Sequence, residues 1–251
     1  METLQAAQAL FSQMLGTEGC PGARYLAGDS GERRPTSPEV AATAGLGYAY
    51  HGYTAILVEW GCTTPELIEA GLLDEKHQEV YGDRLTFPWL NTSGRAIVGL
   101  GGRAVTMRRP KYVNTPEPLF TKGSAVFGLA QAAQSIHGSG YAIVCEGPFD
   151  ALALWDMGWT NAVATVGARV TPDQLTMVLR LTDQVVVLLD SDEGGRRGRD
   201  ALTNWVQGAT LPGRCHIYAG QLVGPKDPGD PATTPGHITT ALANADEVAH
   251  I

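Results

Sequence analysis

Val185-Val186-Val187-Leu188-Leu189-Asp190-Ser191-Asp192-Glu193-Gly194-Gly195-Arg196 is the stretch that decides the fold. A five-residue apolar run predicts a buried strand. Two aspartates one residue apart at its exit repel each other unless a cation sits between them, and hard divalent ions take carboxylate oxygens. A second apolar run, Tyr141-Ala142-Ile143-Val144-Cys145, ends the same way, at Glu146-Gly147. Two buried strands that each deliver carboxylate at their ends are the raw material of a metal-dependent phosphoryl-transfer site.

Outward from these two strands the pattern alternates. Strands are expected at 141–145, 161–165, 185–189 and 214–218, with helices at about 148–157, 172–180 and 194–207. Strands alternating with helices predict right-handed βαβ units and a parallel sheet, with chemistry at the C-terminal strand ends. Glu146, Gly167, Asp190 and Asp192 all fall there. Gly167 reads as a glycine for close phosphate approach or as a turn residue. Asp150, just inside the helix opened by Pro148, reads as a partner for the helix dipole. One aspartate of the 190/192 pair suffices for an N-cap; the second, with Glu193 beside it, exceeds what a cap requires. Gly194-Gly195 permits close backbone approach. Arg196, Arg197 and Arg199 follow on the helix and either reach phosphates or face solvent. A third acidic cluster, Lys226-Asp227-Pro228-Gly229-Asp230, reads by itself as a Pro-Gly turn.

Upstream, Leu4, Ala7, Leu10, Phe11, Met14 and Leu15 keep helical spacing until Gly16 and Gly19. Residues 21–45 read as loops with short helices. A helical pair follows at 55–60 and 65–70, closed by Gly71. From Leu85 to Val105 the texture is β, with a hairpin turn at Asn91–Gly94. A boundary near 138–140 gives an N-terminal basic α+β subdomain at 1–139, a parallel-sheet α/β domain at 140–235 and a C-terminal helix at 236–251.

The chain has 251 residues and 43% hydrophobic content, ample for a sizeable core. Its apolar runs are too short for a membrane span and its first residues lack the pattern of a signal peptide. Cys20, Cys62, Cys145 and Cys215 stand far apart with no Cys-x-x-Cys pair, so no zinc site is expected and a reducing, cytoplasmic setting fits. Net charge is −8, yet seven basic residues from Arg84 to Lys122 face a single acid, Glu117, a local charge of +6. Local charge is what a phosphate backbone feels within a Debye length. A solvated basic face explains the same stretch equally well.

The run from Glu146 through Asp192 resembles a Toprim domain, the metal-binding α/β module of bacterial primases, topoisomerases and some nucleases. That module has a Glu after its first strand and an Asp-x-Asp after a later one. The segment before it is similar to the DnaG-type primase RNA polymerase core: Phe87-Pro88, Gly94-Arg95-Ala96-Ile97-Val98-Gly99-Leu100-Gly101-Gly102-Arg103 with a Gly-Gly-Arg turn, Pro110-Lys111-Tyr112-Val113-Asn114-Thr115-Pro116-Glu117, Phe120-Thr121-Lys122-Gly123 and Phe127-Gly128-Leu129. Ala164-Thr165-Val166-Gly167-Ala168 and Gly45-Leu46-Gly47-Tyr48-Ala49 resemble further motifs of that family. The resemblance spans about residues 20–235.

The resemblance implies a Toprim parallel-sheet domain preceded by a mixed α+β basic subdomain. It implies a primase core, phage- or mobile-element-encoded or cut from a longer protein, that makes RNA primers from NTPs on single-stranded DNA in the cytoplasm. Glu146, Asp190 and Asp192 would be catalytic, holding Mg2+ or Mn2+ with Asp227 and Asp230. Arg84, Arg95, Arg103, Lys111, Asn114, Lys122 and Gly167 would contact template or nucleotide. A replicative helicase or a separate zinc-binding protein is an expected partner; a membrane is not. The chain departs from the family in three places. Cysteine-rich and helicase-binding segments are not seen, Ala168 replaces Thr, and Gly229 stands where the third acidic motif, Asp-Pro-Asp, has its second acid. Asp230 could compensate from the next position. A Toprim nuclease or a catalytically weak replication accessory protein are the alternatives, and metal-dependent NTP incorporation on single-stranded DNA separates them.

Overall fold

The computed structural model describes residues 2–106, 110–121, 123, 125–165, 170–206 and 214–250. Lys122 and Gly167, and Arg108 and Arg109 of the basic stretch, lie outside them. Two compact units result: residues 1–30 with 37–121, and residues 31–36 with 122–251.

The first unit opens with α1 (Glu2–Leu15), whose Leu4, Ala7, Leu10 and Phe11 form the buried stripe that the spacing predicts. Next come α2 (Pro21–Leu26) and α3 (Pro38–Thr43), the latter N-capped by Ser37 with Pro at the first turn. A short strand, β1 (Gly47–Ala49), precedes α4 (Tyr53–Glu59) and α5 (Thr64–Glu69). A Thr63/Glu66 capping box opens α5, and Gly71 follows its end at φ +68. Three more strands, β2 (Arg84–Leu90), β3 (Ile97–Ala104) and β4 (Tyr112–Asn114), complete an antiparallel sheet in the order β1-β2-β3-β4. The β2–β3 hairpin turns where expected, with the Asn91 side chain accepting from Arg95 N at 3.0 Å and Gly94 at φ +70.

Two features of this sheet differ from the sequence expectation. Strands β1 and β4 have three residues each, too few for a period-two pattern to show. Gly101-Gly102-Arg103, expected as a turn, lies inside β3. Gly101 pairs with Phe87, and a β-carbon there would lie 2.1 Å from the Phe87 ring. The glycine clears space for an aromatic ring across the ladder instead of reversing the chain.

The second unit contains α6 (Leu129–Ser139), β5 (Ala142–Cys145), α7 (Pro148–Asp156), β6 (Ala162–Ala164), α8 (Pro172–Leu179), β7 (Gln184–Leu189), α9 (Glu193–Val206), β8 (His216–Gln221), α10 (Pro235–Ala243) and β9 (Asp246–His250). Its sheet runs β6-β5-β7-β8-β9. The first four strands are parallel, as the alternation predicts, and β9 is antiparallel to β8. Central β7 carries the Val-rich run, with Val185, Val187, Leu188 and Leu189 buried. Residues 236–251, expected as helix, are helical only to Ala243 and then return as β9. The Arg199–Asp246 ion pair and the His216–Glu247 hydrogen bond fasten that edge strand. The compact unit begins at residue 122 and not near 140, because Leu129, Ala132 and Ile136 of α6 share a core with Val144, Val163 and Val187.

Candidate active site

The sheet's C-terminal ends gather the acids. Glu146 follows β5, Asp190 and Asp192 follow β7, and Asp227 lies in the loop after β8. The β7 exit is tied to that loop by Ser191 N donating to Lys226 O at 2.9 Å, and to the end of β8 by Gln221 Nε2 donating to Asp190 O at 3.2 Å. Gly195 lets α9 start tight against this exit: a β-carbon there would lie 2.0 Å from Asp190 O. The close approach that the Gly pair permits is therefore realised at Gly195.

Glu146 Oε1, Asp190 Oδ1 and Asp227 Oδ1 are buried without a hydrogen-bond partner. Desolvation of a carboxylate favours its neutral form, and neighbouring acids add to this. Burial, then Asp150, Glu146, Asp227 and Asp192, push the Asp190 carboxyl up to about 8. Burial also raises Glu146, with Asp150 and Asp192 adding to it and a backbone hydrogen bond at Asp190 opposing it. Orphaned, mutually repelling carboxylate oxygens at strand ends are a donor set that suits a hard divalent cation, so the residues present fit Mg2+ or Mn2+. Among the described residues no three such side chains already converge in ligating geometry.

Asp192 is the more exposed member of its pair. Its Oδ1 accepts from Gly195 N at 3.1 Å, so it also caps α9, and Lys226 Nζ stands 3.9 Å from its Oδ2. Asp150 does what a helix-start acid does, with Oδ2 accepting from Gly147 N at 3.1 Å. It does more as well: it is 7% exposed and pairs with Arg33 Nη2 at 2.5 Å. Burial pushes Asp150 upward and Arg33 pulls against that. Asp150 is thus a fifth member of the acid cluster. Its place four residues past Glu146 was the available signal. No local signal marks Arg33, which is 117 residues away.

Asp230, the residue after Gly229, organises its own loop: its oxygens accept from Lys226 N at 3.0 Å and Ala232 N at 2.9 Å, and these bonds lower its pKa.

The basic residues divide by burial. Arg84 and Arg103 are each 2% exposed. Arg84 Nη1 donates to Pro110 O at 2.9 Å. The Arg103 guanidinium lies 5.1 Å from the Tyr25 and Tyr112 ring centroids and donates to the Tyr112 hydroxyl. Both side chains are built into sheet packing, where cation–π stacking holds Arg103, and not spread on a surface as expected. Asn114 is half-buried and accepts from Trp89 Nε1 at 3.2 Å, whereas Arg95 and Lys111 are exposed. Arg197 pairs with Glu193 along α9.

Fold and site together define an α/β module with carboxylates at the ends of adjacent parallel strands. Residues 11–133 match the family model described as DNA primase catalytic core, N-terminal domain, and residues 143–230 match the Toprim-like model. DNA primase of Pseudomonas putida is 35% identical over 203 residues, covering 77% of this chain and 30% of that one. DNA primase of Deinococcus radiodurans is 34% identical over 241 residues, covering 91% and 40%. The chain therefore spans about a third of the length of the curated relatives it matches. The RNA polymerase domain of Mycobacterium tuberculosis primase DnaG superposes with a TM-score of 0.83 at 27% identity, over 98% of this chain and 83% of that one. A DnaG primase catalytic domain bound to single-stranded DNA gives 0.82 at 26% identity, over 98% and 78%. The chain belongs to the family of DnaG-type primase catalytic cores.

Proposed function

We propose that this chain synthesises RNA primers on single-stranded DNA by nucleotidyl transfer. The observation that carries the reading is the trio of orphaned buried oxygens on Glu146, Asp190 and Asp227, in a chain of primase-core family. The primer 3′-hydroxyl oxygen forms a bond to the NTP α-phosphorus and releases its proton to solvent, the bond to the β-phosphate bridging oxygen breaks, and pyrophosphate leaves. Bound Mg2+ or Mn2+ supplies charge neutralisation at the reacting phosphate. Glu146, Asp190 and Asp192 hold that charge at the strand ends, with Asp227 beside them. The exposed Arg95 and Lys111 grip template phosphates, which positions a strand without reading its bases. Asn114, anchored by Trp89, lies in β4, three residues past Lys111. Template and NTPs are the ligands, a helicase or zinc-binding protein is the further partner, and the setting is the cytoplasm. No helix among the described residues is long and apolar enough to cross a membrane.

The test is incorporation of labelled NTP on single-stranded DNA with Mg2+ or Mn2+, comparing the protein with its Asp190→Asn variant. Template- and metal-dependent product from the first and none from the second is expected. Cleavage of the DNA without incorporation, or binding without either, would overturn the reading.

A further inference from the structure

The acid cluster already contains one cation. Arg33 Nη2 lies 2.5 Å from Asp150 Oδ1 and 3.6 Å from Asp227 Oδ1, on a side chain 15% exposed. The guanidinium rests on Gly229. A β-carbon built there would lie 1.6 Å from Nη2 and 2.4 Å from Cζ. The backbone of Gly229 does not sit at a positive φ reserved for glycine, so the guanidinium is what a side chain there would meet first. The neighbouring residue pins the same loop: Arg34 N donates to Gly229 O at 2.9 Å and Arg34 Nη1 to Thr233 O. Glu146 Oε1, Asp190 Oδ1 and Asp227 Oδ1 have no hydrogen-bond partner, and Arg33 stands 3.6 Å from the last of them. Charge compensation differs between the two ends: Asp150 and Asp227 face a buried guanidinium, in the space that a side chain at 229 would occupy, whereas Asp192 faces the more exposed Lys226 ammonium at 3.9 Å.

We propose that Arg33 is a positioning residue that serves as a built-in cation for Asp150 and Asp227, so that the cluster takes a single divalent ion, at Glu146 and Asp190. The guanidinium donates a charge-assisted hydrogen bond to Asp150 and stands within ion-pair range of Asp227. A second divalent ion at Asp150 and Asp227 would have to displace it. Gly229 is the permissive half of the arrangement, because any larger residue would expel Arg33.

The inference rests on the metal reading of the strand-end acids, and Mn2+ stoichiometry by electron paramagnetic resonance tests the two separately. The wild-type chain should bind one Mn2+, and Asp190→Asn should lose it. Arg33→Met should bind a second Mn2+, its affinity for that ion rising roughly tenfold or more once the nearby positive charge is gone. Arg33→Lys should restore a stoichiometry of one. Removing one partner of a buried ion pair can unfold a chain, so Gly229→Ala, which keeps both charges and only evicts the guanidinium, gives the same readout by another route and should also admit a second ion. Two ions on the wild-type chain, or one ion on a folded Arg33→Met or Gly229→Ala variant, would overturn the role of Arg33 and leave the strand-end site standing. No ion on the wild-type chain would overturn both.

Discussion

Asp190 concentrates the chemistry of the site. Its folded pKa of about 8 lies far above the unfolded value near about 4. Between those two values the native chain holds a proton that the unfolded chain has lost, so metal-free stability falls as pH rises through that window. The raised carboxyl of Glu146 acts in the same direction. Thermal melts in chelator across this range should show the decline, and Asp190→Asn should flatten it while raising the melting temperature at neutral pH. The same substitution should lower NTP incorporation at least about a hundredfold, because an uncharged amide oxygen holds a divalent ion more weakly than a carboxylate. Metal loading must expel the Asp190 proton, so Mn2+ affinity should climb with pH up to about 8 and binding should release a proton. Calorimetry in buffers of different ionisation enthalpy measures that proton directly, and no uptake or release would contradict the shift.

Among the elements, the β7–α9 junction determines where the two aspartates go. Strand β7 ends buried, α9 begins within three residues, and Gly195 makes the turn possible by approaching Asp190 backbone. Gly195→Ala places a carbon inside van der Waals contact of rigid backbone and should cost about 1–3 kcal/mol. It should also reduce Mn2+ binding, since the clash lies on Asp190 itself. Gly101→Ala in β3 should cost a similar amount, about 1–3 kcal/mol, by pushing on the buried Phe87 ring, yet leave Mn2+ binding in place. Denaturant melts paired with Mn2+ titration distinguish these two glycines: one is tied to the site and the other to the sheet.

For the whole molecule, the proposed function asks a chain of net charge −8 to hold nucleic acid. The exposed basic groups of the antiparallel-sheet unit are the candidates for that contact. Lys111→Ala and Arg95→Ala should each weaken single-stranded DNA binding and reduce its salt slope by about 1. Arg103→Ala should act through stability instead, because its guanidinium is stacked between two tyrosine rings away from solvent. Fluorescence anisotropy over a salt series, alongside melts, separates the two effects. An unchanged slope for both Lys111→Ala and Arg95→Ala would remove them from the interface.

The sequence alone determined the parallel strands of the second unit and the acids at their ends. Apolar runs long enough to declare burial finish at Glu146 and Asp190, and alternation with helices dictates the strand direction. The α1 stripe, the hairpin at Asn91–Gly94 and the helix stop at Gly71 were legible for the same reason, being periodicities and turn chemistries confined to a few neighbouring residues. The strands β1, β4 and β9 were not legible, because such short segments become strands only through the ladders they join. Helix α6 was not read from the sequence, and the unit it belongs to depended on the core that Leu129, Ala132 and Ile136 pack into. Only the tertiary structure separated exposed Arg95 and Lys111 from buried Arg84 and Arg103, since one residue type carries one charge wherever the chain puts it. Only the tertiary structure brought Arg33 onto Asp150, Asp227 and Gly229. A contact across more than a hundred residues leaves no local pattern, and the glycine that permits it reads, by itself, as a turn.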